Sequence, residues 1–258
     1  MTPSVPLPDA FLKAPIAHRA YHDKARGRPE NAPAAIRAAL EAGYGIEVDI
    51  QPSRDGVPMV FHDYDLGRLT HETGPVAQRT SSDLRAIRLK DSRETIPTLA
   101  EVLEMVGGRA PLLIEIKDQD GALGPNVGPL EAAVAAALMD YEGPVAVMSF
   151  NPHAVAALAR LAPHIPRGLT TCAFAEDDWP LVKADRLAEL AAIPDYDRVG
   201  ASFISHDATD LSAAPVSALK ARGVPVLCWT VKSLAQETQA RDIADNVTFE
   251  RYRAPLGG

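Results

Sequence analysis

At 258 residues, 47% hydrophobic and 23% charged, the chain has the composition of a soluble globular protein with ample core, and a length normal for one α/β barrel. A net charge of −8 argues against a nucleic-acid surface or a basic membrane-attachment face, since both need clustered lysine and arginine. Two cysteines, Cys172 and Cys228, are too few for a disulfide framework and fit no zinc spacing. No apolar run reaches the roughly 18 residues of a membrane span. The first residues lack a charged-then-apolar export pattern. A cytoplasmic protein with no stable membrane insertion is therefore expected.

Residues 1–14 are proline-rich without lasting periodicity and read as an extended lead-in lying over the fold. Residues 15–19, PIAHR, read as a short buried strand ending in His18 and Arg19. After a polar loop, residues 30–42 carry Ala35, Ile36, Ala39 and Leu40 on one helical face, with Gly43 as a stop. The most informative stretch follows, YGIEVDIQPSRDGVPMVFHD, from Tyr44 to Asp63. Its alternation of apolar and acidic residues is the period of a strand, which puts Glu47 and Asp49 on one face about 7 Å apart. Two such carboxylates repel unless a cation or solvent lies between them. A turn at Arg54-Asp55-Gly56 and an apolar run at 57–61 then deliver His62-Asp63. Alone, this stretch also fits a solvated edge hairpin.

Residues 55–109 are the longest detour between strands of the main rhythm. They hold the strand at 57–61, a short helix at 82–87, and a helix at 98–106 opened by a capping box, Thr98 with Glu101. Beyond them, strands are predicted at 111–117, 145–150, 168–171, 199–204, 225–230 and 246–249. Helices fit between, at 128–139, 152–161, 180–192, 213–222 and 232–241. With the strands ending at His18 and Ile50, about eight strands alternate with helices, which implies parallel strands joined by crossover helices. A closed (β/α)8 TIM barrel is expected, one domain over residues 1–258 with an insertion at about 55–109.

Such barrels carry their chemistry at the C-terminal ends of the strands. There the sequence places His18 and Arg19, Glu47 and Asp49, Glu115 and Lys117 (in LLIEIKD), and Trp229 (in VLCWTVK). Glu115 and Lys117 could be a lone ion pair capping the core, but a buried pair is costly and seldom kept for stability alone. Three carboxylates on adjacent strand ends make an oxygen-donor site for a hard divalent cation, Mg2+ or Ca2+, rather than zinc. With such a cation, and with Arg19 and Lys117 beside it, the site would hold an anion, for which phosphate is the obvious candidate. His18 and His62 would add groups that ordinarily titrate near neutrality, suited to proton transfer on each side of phosphorus. His22, His71, His153, His164 and His206 lack such company and read as surface or structural.

Taken together, His18-Arg19, Pro29-Glu30-Asn31, Glu47-x-Asp49, Asp55-Gly56, His62-Asp63, Leu69-Thr70, Ile96-Pro97-Thr98-Leu99, Glu115-Ile116-Lys117 and Trp229-Thr230-Val231 resemble the glycerophosphodiester phosphodiesterases over nearly the whole chain. The resemblance implies a TIM barrel with a small insertion after the second strand. It implies a divalent cation held at Glu47, Asp49 and Glu115, general acid and base at His18 and His62, and phosphate contacts from Arg19 and Lys117. The chain departs from the family pattern in four places. Ala20 stands where glycine is usual, and the loop YHDKARGR before Pro29 is longer. Lys232 replaces a common Asn, and the last strand ends Thr248-Phe249-Glu250 instead of Thr-Asp. The expected reaction is metal-dependent hydrolysis of a small-molecule glycerophosphodiester to glycerol 3-phosphate and an alcohol. A lysophospholipase D-like enzyme would need an apolar groove, for which Phe150, Phe174, Trp179 and Trp229 are candidates. A non-catalytic phosphodiester-binding protein would need no proton-transfer pair. The alcohol released and the oligomeric state are left open by the sequence.

Overall fold

A computed structural model of the chain describes residues 4–256. In chain order the strands among these residues are β1 (Ile16–Ala17), β2 (Gly45–Pro52), β3 (Pro58–Val60), β4 (Leu112–Ile116), β5 (Val145–Ser149), β6 (Arg167–Thr171), β7 (Phe203–Asp207), β8 (Val226–Val231) and β9 (Asn246–Phe249). All except β3 run parallel, in the order β1, β9, β8, β7, β6, β5, β4, β2, and pairing of β1 with β2 closes them into an eight-stranded barrel. The helices are α1 (Ala10–Lys13), α2 (Pro33–Ala42), α3 (Ser81–Ala86), α4 (Leu99–Val106), α5 (Pro129–Leu138), α6 (Pro152–Leu161), α7 (Ala184–Ala191), α8 (Ala214–Ala221) and α9 (Leu234–Ala240). This is the expected (β/α)8 TIM barrel.

The two-residue period of each strand sorts its side chains between two environments. Ile46, Val48 and Ile50 of β2 and Ile114 and Ile116 of β4 join the core under the helices, with Val102 and Val106 of α4. On the alternate positions, Ile16, Leu113, Ala146, Phe203 and Leu227 form a separate apolar cluster with Leu7 and Phe11. That cluster is the floor of the barrel interior, so Glu115, two residues beyond Leu113, rises from it toward the mouth. The detour after β2 has its own small core of Met59, Phe61, Leu66, Leu69, Val76, Leu84, Leu89 and Ile96. β3 pairs antiparallel with β2, Ile50 opposite Val60, which sets His62 and Asp63 beside the end of β2.

Three elements differ most from the sequence reading, beyond α2 starting at Pro33 instead of 30. Residues 10–13 of the lead-in are helical, because Phe11 is fully buried in the barrel floor and Asn246 Nδ2 donates to the carbonyls of Phe11 and Ala14, 2.7 Å each. β7 begins at Phe203 instead of 199: residues 195–201 form a turn in which Val199 N donates to Asp195 O and Ala201 N to Tyr196 O, both at 3.0 Å. α7 begins at Ala184 instead of 180, since residues 176–182 close two tight turns, Trp179 N onto Glu176 O and Val182 N onto Trp179 O.

The floor is packed closely enough to test. A Cβ added at Gly168 would overlap the ring of Phe203, itself fully buried. Gly168→Ala should therefore destabilise by about 1–3 kcal/mol through overpacking, read as a lower urea midpoint at unchanged slope.

Candidate active site

β2 and β4 lie side by side with Asp49 opposite Glu115. Glu47, Asp49 and Glu115 are all buried, and each offers a carboxylate oxygen within 4.8 Å of the others. Lys117 lies among them, its Nζ 2.7 Å from Asp49 Oδ1 and 2.5 Å from Glu115 Oε1. Burial alone would push the Asp49 carboxyl up, but Lys117, His62 and Arg19 outweigh it and hold the group well below the usual carboxylate range. Burial pulls Lys117 down, and Asp49 and Glu115 more than restore it. Glu47 goes the other way: burial, then the charges of Asp49 and Glu115, raise it well above its ordinary value.

Glu47 Oε1 is also buried with no hydrogen-bond partner, while Oε2 accepts from Arg19 N at 2.7 Å. A buried oxygen without a partner, facing two more carboxylates, is a donor set that a hard divalent cation would satisfy. The three residues fit that group.

The loop after β1 shapes the approach to this cluster. Arg19 and Ala20 have φ of 50° and 63°, and Asn31 has φ 59°. Glycine adopts this left-handed backbone at no steric cost, so Ala20 holds with strain a turn for which glycine is the relaxed choice. The turn aims Arg19 N at Glu47, and Asn31 N donates to Arg19 O at 2.8 Å. Asn31 in turn clasps Asp49: its Nδ2 donates to Oδ2 at 2.9 Å and its Oδ1 accepts from Asp49 N at 3.2 Å. Arg19 Nε lies 3.6 Å from Asp49 Oδ2.

The two histidines share one design. His18 Nδ1 is 3.0 Å from Glu250 Oε2, and His62 Nδ1 is 2.7 Å from Asp63 Oδ1. With the carboxylates ionised, each Nδ1–H donates and Nε2 is left as the basic nitrogen. Burial lowers the His18 imidazole below its ordinary value, only partly offset by Glu250. Asp63 is itself gripped by Arg68, Nε to Oδ2 at 2.5 Å and Nη2 to Oδ1 at 2.8 Å.

His22, read from the sequence as an isolated imidazole, is part of the same constellation, its Nε2 3.4 Å from Glu250 Oε2. The departure at Glu250 was the visible signal, but nothing local linked it to His18, 232 residues away. His206 is structural as expected, buried between Thr171 Oγ1 at 2.8 Å and Asp210 Oδ2 at 3.3 Å. Trp229 lines the cavity that His18 and Arg19 also line. Its Nε1 donates to Ser205 O at 3.0 Å, and its ring packs edge-on to Phe150 at 5.4 Å. Phe150 packs in turn on Trp179 and Phe174, at 5.1 and 6.1 Å, so the four candidate aromatics are neighbours.

Glu30 ties the arginines together. Oε1 accepts from Arg19 Nη1 at 2.8 Å and Arg68 Nη2 at 2.6 Å, and Oε2 from Arg68 Nη1 at 2.9 Å. Burial opposes ionisation, but the bonds from Arg68 and Arg19 overcome it and hold the carboxyl at about 2. A carboxyl lowered on folding stabilises above its unfolded value near 4.5, and loses that contribution as pH falls toward about 2. Glu30→Gln should cost about 1–3 kcal/mol at pH 7, discounted for the half-exposed Arg68. Urea unfolding of both proteins should show that difference shrinking steadily between pH 5 and 3; a constant difference would exclude the ion-pair origin.

Residues 18–247 match the model of the glycerophosphoryl diester phosphodiesterase family. A glycerophosphodiester phosphodiesterase of Caldanaerobacter subterraneus subsp. tengcongensis is 30% identical over 226 residues, 84% of each chain. A phosphodiesterase from Oleispira antarctica, solved in complex with the product sn-glycerol-3-phosphate, has the same fold at a TM-score of 0.76 and 25% identity over 95% of each chain. The glycerophosphodiester phosphodiesterase structure from Agrobacterium tumefaciens gives 0.66 at 25% identity, covering 91% of this chain and 95% of that one. With a matching sequence, a matching barrel and the polar residues gathered at one mouth, this chain belongs to the glycerophosphoryl diester phosphodiesterase family.

Proposed function

We propose that the enzyme hydrolyses glycerophosphodiesters to glycerol 3-phosphate and an alcohol, with His18 and His62 as the proton-transfer pair. The observation that carries this reading is the matched anchoring of the two imidazoles: each Nδ1 lies on a carboxylate, which leaves each Nε2 to exchange a proton with substrate. One Nε2 takes the proton of the attacking oxygen, and the other gives a proton to the departing alkoxide. Arg19 and Lys117 bind the phosphate oxygens, and Trp229 forms a wall beside them. Glu47, Asp49 and Glu115 would hold the divalent cation, Mg2+ or Ca2+, which when bound neutralises charge on phosphate and polarises a nearby hydroxyl. The product complex of the Oleispira antarctica relative supports glycerol 3-phosphate as the product here.

A lysophospholipase D-like reading is less well supported. Phe174 is buried, and the aromatic side chains stack on one another, so they form a wall more than an open groove. A non-catalytic binder would have no use for two anchored imidazoles. Among the described residues no helix is long and apolar enough to cross a membrane.

The test is release of glycerol 3-phosphate from a panel of glycerophosphodiesters. Exhaustive chelation should abolish it and Mg2+ or Ca2+ restore it, while Glu47→Gln weakens cation binding in calorimetry without loss of fold. His18→Ala and His62→Ala should each lower kcat by about 10²–10⁴, and the double variant by less than the product of the two. Near-wild-type turnover in either single variant would remove that histidine from the mechanism.

A further inference from the structure

The chain is acidic overall, at −8, yet the cavity beside His18 and Trp229 is not. This cavity, about 940 Å³, is lined by eight lysines and arginines against three carboxylates. Two sources supply most of that charge. Lys24, Arg26 and Arg28 come from the long loop after β1, and Lys232, Arg251 and Arg253 from the ends of β8 and β9.

The local carboxylates do not cancel it. Asp23 serves both Arg26 and Arg28, at 3.3 and 3.5 Å, and Arg28 also lies over the Tyr21 ring, 5.2 Å from its centre. Glu250 meets Arg251 at 3.2 Å and Lys232 at 3.9 Å while already engaged by His18. Among the described residues, Lys24 and Arg253 have no carboxylate within ion-pair distance. The rim therefore carries unspent positive charge on exposed side chains, beyond Arg19 and Lys117, to which the proposed reaction gives the diester itself. A phosphodiester has one negative charge, and it needs no second set of cations several residues away.

We propose that the preferred substrate is a glycerophosphodiester whose departing alcohol bears its own anionic group, a phosphate or carboxylate, held by Lys24, Lys232 and the arginines of this rim. The proposal rests on the hydrolytic reading above and narrows its substrate class. Charge focused in a cleft raises local substrate concentration and association rate by about 10–10³, and the gain falls as salt screens it. A leaving group such as choline, with a fixed positive charge, is repelled by the same field.

The test compares three diesters with a divalent cation present: glycerophosphoinositol 4-phosphate, glycerophosphoinositol and glycerophosphocholine. The first two differ only by a phosphate on the alcohol. The phosphorylated diester should exceed glycerophosphoinositol in kcat/KM by at least about tenfold at low salt, with glycerophosphocholine slowest. This preference should shrink on raising salt, and the ratio between the first two should fall toward one in the double variant Lys24→Glu/Lys232→Glu. Equal rates, or a faster choline diester, would overturn the proposal. Calorimetry of the His18→Ala protein with the same diesters reads binding apart from turnover. Tighter binding of the phosphorylated diester supports the rim's role even if no diester is hydrolysed, an outcome that would count against the hydrolytic reading alone.

Discussion

The structure depends on how the barrel tolerates three carboxylates where water is scarce. Placed alone, Glu47, Asp49 and Glu115 would repel one another strongly enough to open the mouth, since burying uncompensated charge costs several kcal/mol per ion. The compensation comes from within the chain: Lys117 bridges Asp49 and Glu115, Arg19 approaches Asp49, and Asn31 clasps Asp49 from the side. Glu47 is the member left short, with one oxygen unpartnered. The asymmetry matters chemically, because it concentrates the demand for a further positive charge at one face of the cluster.

From that cluster, support spreads outward in shells of alternating charge. Arg19 is held by Glu30, Glu30 by Arg68, and Arg68 by Asp63, which in turn orients His62. A continuous ion-pair path therefore runs from the end of β1, through the loop before α2, to the detour after β2. It makes one working unit of segments that are far apart in sequence. Polar networks of this kind fix geometry to the extent that their members are satisfied: the links through Glu30, Arg68 and Asp63 are all made at short distance, while Arg19 Nε stays without a hydrogen-bond partner.

Much of this was legible in the residues. Alternation in Ile46–Ile50 and in Ile114–Ile116 separates the inward acids from the outward apolar positions, because a two-residue period is a local property of a strand. Thr98 with Glu101 marked the start of α4 for the same reason, and both halves of its capping box are formed. What could not be read were relations set by closure. The lead-in looked formless because the burial of Phe11 depends on a floor built from five strands. The residues from Val199 on have the apolar character of a strand, four residues ahead of β7, while the turn that holds Val199 and Ala201 is fixed by bonds to Asp195 and Tyr196. His22 looked isolated because its neighbour Glu250 lies at the far end of the chain. The basic rim was hidden for a similar reason: a sum over 258 residues says nothing of one cavity where cations outnumber acids.

Closure of β1 between β2 and β9 also has a kinetic side. β1 is two residues long and draws its hydrogen bonds from both neighbours, one of which lies about 230 residues later, so it has little reason to hold its place until β9 arrives. His18, at its end, takes its carboxylate partner from just beyond β9. Contacts of such sequence separation form late, because the entropy of joining distant segments is lost before the contact repays it. Asp49 and Glu115 lie on strands paired at a separation of 66 residues, whereas the His18–Glu250 contact spans 232. The order of closure therefore sets the His18–Glu250 contact among the last to form.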